Sequence, residues 1–361
     1  HRKRLRIRSL PALRGLNKKQ CHKEEEHMSN SNEKKPGILG RFLSQRGMGQ
    51  VITVGVGLVI LCLVFGFINP NFFTYRNVAN LLRQIAPILL IGVGQSYVLF
   101  TGNIDLSVGS VVGMSCMISA TLMCHGMNPW VSVVITMACC LAVGCVNGVL
   151  VSKCKLPPFI ATLGTMTIAR GIAQIVNGNY NTDSIGEAAK GFRTFFYSGK
   201  FMGIFSAFWI AMAVWLVFNY LMSHTRTGRH IYATGSNIDA ARLSGVNVDN
   251  TVICVYVVSA FCACITGLIT CASTGTGTMD AGTSYEMYAV AASVIGGVST
   301  LGGSGILSGT VIGAAIWGAA EWSSVCRCSG CNQKYCDWNY CCSSSASGCN
   351  CPFWKRKKQE A

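Results

Sequence analysis

Four stretches of this chain hold the residue types that could bind or pass a solute. Thr101-Gly102-Asn103-Ile104-Asp105-Leu106-Ser107-Val108-Gly109-Ser110 sets one carboxylate between two apolar runs. The side-chain oxygens of Asp105 and Ser107 can cap a helix beginning near Val108. Gly102 and Gly109 permit non-helical dihedrals or a close backbone approach. An acid beside hydrocarbon lines a pathway or anchors a helix break, so an N-cap role and direct solute contact both stand for Asp105 and Ser107. Lys153 and Lys155 precede Pro157 and Pro158, which end one element and open the next. Thr162 and Gly164 then suit close helix packing more than contact with a pore.

The third stretch, 223–250, is hydrophilic. Asn237 can cap a short helix over 238–243, and Gly245 can end it. Ile238, Ala241 and Arg242 share one face by their spacing. A capped, small-residue helix on the water side suits insertion into a partner's groove, with Gly235, Asn237, Ala240, Ala241, Ser244 and Gly245 as its contact set. The fourth stretch runs from Gly282 through Glu286 to Gly296 and Gly297, and on through Gly302, Gly303 and Gly305 to Gly309 and Gly313. That glycine density predicts broken helices and tight crossings at depth. Leu106–Gly113 faintly echoes Leu307–Gly313, a hint of an internal repeat with a site between its halves. Asn103, Asp105, Ser107, Thr162 and Glu286 are the candidate path or gate residues.

The elements that hold these stretches are apolar runs of bilayer length. Positions 51–320 contain only 18 Asp, Glu, Lys or Arg, too few to build a water-facing surface. A spanning helix needs about 20 apolar residues. Candidate spans cover 51–68, 85–100, 108–122, 131–151, 159–176, 201–222, 252–271 and a glycine-rich pair, 287–298 and 306–320. The expected fold is an all-α polytopic membrane protein of about 8–10 transmembrane helices, some broken or re-entrant. The strand alternation of a membrane barrel is absent.

The net charge of +16 lies mostly before Met28 and in short loops. This is the pattern of positive-inside orientation signals rather than a nucleic-acid site. Lys34, Lys35, Arg41 and Arg46 predict a cytoplasmic N-terminus; Lys153, Lys155, Arg226, Arg229 and Arg242 mark further cytoplasmic loops. No Walker A pattern, H-E-x-x-H or G-x-S-x-G occurs in the sequence. The expectation is a non-catalytic chain with no metal and no cofactor of its own.

The two ends differ from the middle. Of 20 cysteines, eight crowd into Cys326–Cys351. A zinc or disulfide module is one reading, resting on Cys328 and Cys331 at C-x-x-C spacing. The favoured reading of 321–361 is a frameshifted last transmembrane segment: codons for Glu321–Cys342 exist that, read one base later, encode an apolar helix. Lys23–Met28 can be encoded by a purine-rich run, a spacer and ATG, like a bacterial ribosome-binding site. Residues 1–27 are therefore expected to be an untranslated leader, the alternative being a disordered basic tail. Residues 28–50 are expected to be a cytoplasmic segment, 51–320 the transmembrane domain, and 223–250 a cytoplasmic loop within it.

Taken together, the four stretches resemble the inner-membrane permease subunits of bacterial ABC sugar importers of the ribose, xylose, arabinose and galactoside group. The resemblance covers roughly 28–320. Residues 101–110 look like that family's signature, with Asn103 where a glycine is common, and the one-base-shifted tail looks like its last segment. The resemblance implies a multi-pass protein of the bacterial inner membrane that translocates a monosaccharide, a ribose-like pentose or a hexose. It also implies a cytoplasmic ABC ATPase partner carrying ATP and Mg, a periplasmic or lipid-anchored sugar-binding protein, and a second permease subunit in a homodimer or heterodimer. Residues 235–245 would be the coupling helix. The rival reading is an ion-coupled secondary transporter of a small polar solute, with Asp105 and Glu286 as its candidate acids. A membrane-embedded enzyme finds no paired carboxylates or nucleophile with a base to support it. Sequencing the underlying DNA is expected to reveal a one-base slip near the codon of Glu321; an unbroken frame contradicts that reading.

Overall fold

A backbone in hydrocarbon must pair its own polar groups, which a helix does locally. Each apolar run of the sequence is a helix in the computed structural model, which describes residues 48–68 and 72–326. The expected leader 1–27, most of the segment 28–50 and the cysteine-rich tail beyond Cys326 lie outside the described residues.

In chain order the main helices are α1 (Met48–Ile68), α2 (Tyr75–Phe100), α3 (Val108–Cys124), α4 (Pro129–Ser152) and α5 (Pro158–Ile175). After a short α6 (Lys190–Arg193) come α7 (Ser206–His224), α8 (Arg226–Ser236), α9 (Ile238–Leu243), α10 (Val248–Thr274), α11 (Tyr285–Ile295) and α12 (Leu307–Cys326). Helices α1, α2, α4, α7 and α10 are long and apolar enough to cross a membrane, while α3, α11 and the Leu307–Ala320 part of α12 are shorter apolar helices.

Local chemistry sets the boundaries. Asn128 caps α4 by accepting from Trp130 N at 3.0 Å, with Pro129 in the first turn. Asn247 caps α10 by accepting from Asn250 N at 3.0 Å, and Gly275 ends it at φ +72°. The expected span 201–222 starts later than the apolar run does. Lys200–Phe201 (β1) pairs antiparallel with Ile204–Phe205 (β2), turning through Met202 and Gly203, both at positive φ. Paired positive φ values match the twist of a tight hairpin, so α7 begins only at Ser206.

The buried centre is made by α2, α3 and α10, with α4 packed on α10, α5 on α3, and α11 and α12 on α2. Helix α1 buries none of its described side chains and packs along α12. Small residues bring the axes together, as expected where lipid gives no hydrophobic drive. At the α4–α10 crossing, a Cβ on Gly148 would stand 2.6 Å from Ile253 Cα, and one on Gly144 would stand 2.9 Å from Tyr256 O. Gly296, Gly309 and Gly313 do the same between α11 and α12. There the Ser96 hydroxyl of α2 meets Ser293 Oγ at 3.0 Å and Thr310 Oγ1 at 2.8 Å, joining three helices by one polar cluster. The two echoed sequences both open helices, α3 and α12, and their glycines pack against the two ends of α11.

Gly148→Leu should overpack the α4–α10 contact and destabilise the protein by about 1–3 kcal/mol. The readout is a lowered unfolding midpoint and reduced monodisperse yield in detergent. Gly164→Ala, at a position with open space around it, should leave both unchanged.

Candidate functional site

Between α2 and α3 the chain leaves helical geometry, and the freed polar groups are tied by side chains. Asp105 Oδ1 accepts from Ser107 N at 2.9 Å and from Ser107 Oγ at 2.6 Å. Its Oδ2 accepts from Ser259 Oγ of α10 at 2.7 Å. Asn147 Nδ2 of α4 donates to Ser107 Oγ at 2.8 Å. All four residues are buried. The knot therefore pins the helix break to two neighbouring helices, with Asp105 and Ser107 almost wholly enclosed. Asn103 sits half-buried at the lip of the break, donating to Thr101 Oγ1 at 3.0 Å. Thr162 is fully buried in α5 and spends its hydroxyl on Pro158 O at 2.8 Å, in keeping with the packing role.

The short helix α9 spans Ile238–Leu243 as the spacing predicts, with Asn237 Oδ1 accepting from Ala240 N at 3.0 Å and Gly245 at φ +80°. The three residues that share a face by spacing, Ile238, Ala241 and Arg242, differ in burial. Ala241 is only 3 % exposed and seats the helix on the chain itself, while Ile238, Ala240, Arg242 and Ser244 are exposed and Leu243 is 91 % exposed. The presented surface is thus Leu243 flanked by polar and basic groups.

Sequence reasoning missed α8. Its polar composition hid a helix whose buried side is Gly228, Ile231 and Thr234, a three-residue spacing that could have signalled it. The C-terminal end of α8 is wedged into the membrane domain. Gly235 leaves no room for a Cβ against Phe100 O, at the end of α2, or against Gly303 N. Gly303 N itself donates to Phe100 O at 2.9 Å. Tyr232 OH donates to Gly305 O at 2.8 Å, and its ring lies 5.0 Å from that of Phe100. Burial pushes the Tyr232 phenol up to about 12, so it stays protonated and remains a donor across the physiological range. Three segments therefore meet at Gly235: the α8–α9 joint, the α2–α3 break, and the loop 296–306 between α11 and α12.

Glu286 opens α11 away from the Asp105 knot, yet within a turn of it along α3. Its Oε2 fills the space a Cβ on Gly109 would take. One turn further along α3, Gly113 makes the same room for Arg170 of α5, which the sequence reading passed over. The signal was present: Arg170 is the one charged residue in the apolar run 159–176. Arg170 Nη1 donates to Met279 O and Ala281 O, each at 2.9 Å, holding the non-helical approach to α11. No group of three or more potential metal ligands occurs among the described residues.

Comparison with known proteins gives matches over most of the chain. The family model described as branched-chain amino acid transport system / permease component matches residues 77–326. The ribose import permease protein RbsC of Escherichia coli strain K12 is 38% identical over 262 residues, covering 72% of this chain and 81% of that protein. The D-allose transport system permease protein AlsC of the same strain is 34% identical over 290 residues, covering 80% and 86%. The fructose import permease protein FruF of Bifidobacterium longum is 37% identical over 267 residues, covering 72% and 75%. No solved structure matches the chain.

Asp105→Ala strands buried donors on Ser107 and Ser259 and should cost about 1–3 kcal/mol, read as a lower unfolding midpoint in detergent. Ser259→Ala, which removes one donor, should cost less. An unchanged midpoint for Asp105→Ala would show that the carboxylate does not hold the break.

Proposed function

The chain belongs to the permease-component family whose model spans residues 77–326, and on that premise we propose how it works as the membrane subunit of an ABC importer for a monosaccharide. Its relatives carry ribose, allose and fructose in their names. The sugar here belongs to the same class of pentoses and hexoses. A separate cytoplasmic ATPase, binding ATP and Mg, drives the cycle. A sugar-binding protein delivers the solute on the other side of the inner membrane, and a second permease subunit completes the path. The N-terminus lies in the cytoplasm, on the side of Lys153, Lys155, Arg226, Arg229 and Arg242.

The observation that carries the mechanism is the seat of Gly235. Helix α9 presents Leu243 to the cytoplasm, and its joint with α8 bears directly on Phe100 O and Gly303. A push on α9 is delivered to the α2–α3 break and to the α11–α12 loop without an intervening flexible link. ATP binding by the partner shifts the balance between inward-facing and outward-facing states only if it binds the two differently. The docked α9 supplies that difference. Ala240, Ser244 and Leu243 form the contact, whereas Gly235, Asn237, Ala241 and Gly245 shape and seat the helix. Asp105 and Ser107 act as gate anchors, fixing the break that the push must move.

In proteoliposomes with the ATPase and binding protein, uptake of labelled ribose, allose, galactose or fructose should require ATP. Leu243→Asp should reduce that uptake at least tenfold while the subunit remains folded. Uptake driven by an ion gradient without the ATPase would overturn the reading, as would Leu243→Asp transporting at the unaltered rate.

A further inference from the structure

We infer that Arg170 and Glu286 form a solute-contact site for the transported sugar, set in a trough that Gly109 and Gly113 cut into α3. The inference rests on the importer reading and names the site that reading leaves open.

Position is the first argument. Arg170 lies about 18 Å along α5 from its start at Pro158, at 1.5 Å per residue, and is the one charged residue in the apolar run 159–176. A charged residue type inside an apolar run faces a protein interior or a water-filled cavity, not lipid.

Hydrogen bonding is the second. Among the described residues, the Glu286 carboxylate accepts no hydrogen bond, and its Oε2 is buried without a partner. Arg170 commits only Nη1, to Met279 O and Ala281 O. Its Nε and Nη2 have no partner among the described residues. No ion pair within 4 Å joins Arg170 to Glu286 or Asp280, although both carboxylates lie near enough for their charges to act on the guanidinium. This contrasts with Asp105, whose two oxygens are both engaged.

Space is the third. Gly109 and Gly113 are one turn apart on one face of α3, where such neighbours stand about 5–6 Å apart. Side chains there would strike Glu286 Oε2 and Arg170 Nη1 respectively. Around this pair the backbone is broken: Gly282 is at φ +73° and Ser284, a non-glycine, at φ +66°. Asp280, Thr283 and Ser284 are exposed beside it.

The chemistry fits a neutral polyol. A guanidinium only donates hydrogen bonds and an ionised carboxylate only accepts them, whereas each sugar hydroxyl does both. Neighbouring hydroxyls of one sugar can accept from the free Arg170 nitrogens and donate to Glu286. Weak binding at such a site lets a solute leave as well as enter.

The test uses the complete transporter in proteoliposomes, with labelled ribose, allose, galactose and fructose as probes. Glu286→Gln keeps the volume and removes no hydrogen bond made within the described residues, so the subunit should fold. Arg170→Gln is the second variant and Arg170→Lys its conservative partner. Uptake should fall at least tenfold in Glu286→Gln and Arg170→Gln, with the unfolding midpoint of Glu286→Gln unchanged and ATP hydrolysis stimulated by the binding protein within twofold of the parent. Arg170→Lys should recover part of the uptake. Glu286→Gln transporting within twofold of the parent overturns the inference while leaving the importer reading intact. Absence of ATP-dependent uptake by the parent itself overturns that reading and the inference with it.

Discussion

Hydrocarbon offers no hydrogen bonds, and the architecture of this chain follows from that. Wherever the backbone leaves a helix inside the membrane domain, side chains close the account. The Asp105 carboxylate gathers Ser107 and Ser259, and Asn147 joins through Ser107. Ser96, Ser293 and Thr310 pair with each other where α2, α11 and α12 cross. Arg170 binds the carbonyls of Met279 and Ala281 where the chain approaches α11. An unpaired polar group at this depth costs several kcal/mol, so such groups persist only where something else engages them. The Glu286 carboxylate is one exception, its Oε2 shielded yet unbonded, and the amide of the fully buried Gln95 is another.

The same economy shapes the segment proposed as the cytoplasmic lever. A hinge would dissipate a push, and the α8–α9 joint is built against hinging. Glycine at 235 lets backbone touch backbone, and Tyr232 ties α8 to Gly305 through a hydroxyl that does not ionise in the physiological range. Interfaces packed this closely shift between discrete arrangements rather than deforming smoothly. The knot at Asp105 and the joint at Gly235 sit at opposite ends of residues 101–107, so movement at one is felt at the other.

Much of this was legible in the sequence because periodicity and punctuation agree there. Most long apolar runs become helices within about five residues of their expected limits, although α2 opens at Tyr75, ten residues before the expected start at 85, and Asn237 with Gly245 brackets α9 as their chemistry requires. Several features escaped. Helix α8 was obscured because its sequence, Arg226 to Ser236, is polar with glycines at 228 and 235; it is held by tertiary contacts rather than propensity. The hairpin at 200–205 hid inside an apolar run because the positive φ of Met202 has no residue-type signal. The grouping of candidate residues could not be read either: spacing places Asp105 and Glu286 in separate stretches, and only folding sets α3 between them. Ala241 turned inward for a related reason, since a six-residue helix shows which residues share a face but not which way that face looks.

The central claim is that α9, the α2–α3 break and the α11–α12 loop move as one body when the ATPase engages. Cryo-electron microscopy of the assembled transporter, nucleotide-free and with ATP trapped, tests it directly. The account predicts that Phe100–Gly102, Tyr232–Leu243 and residues 299–305 shift together relative to α10, keeping the Gly303 N to Phe100 O hydrogen bond in both states. Displacement of α9 with the ATPase while residues 299–305 stay fixed on α10 would contradict it.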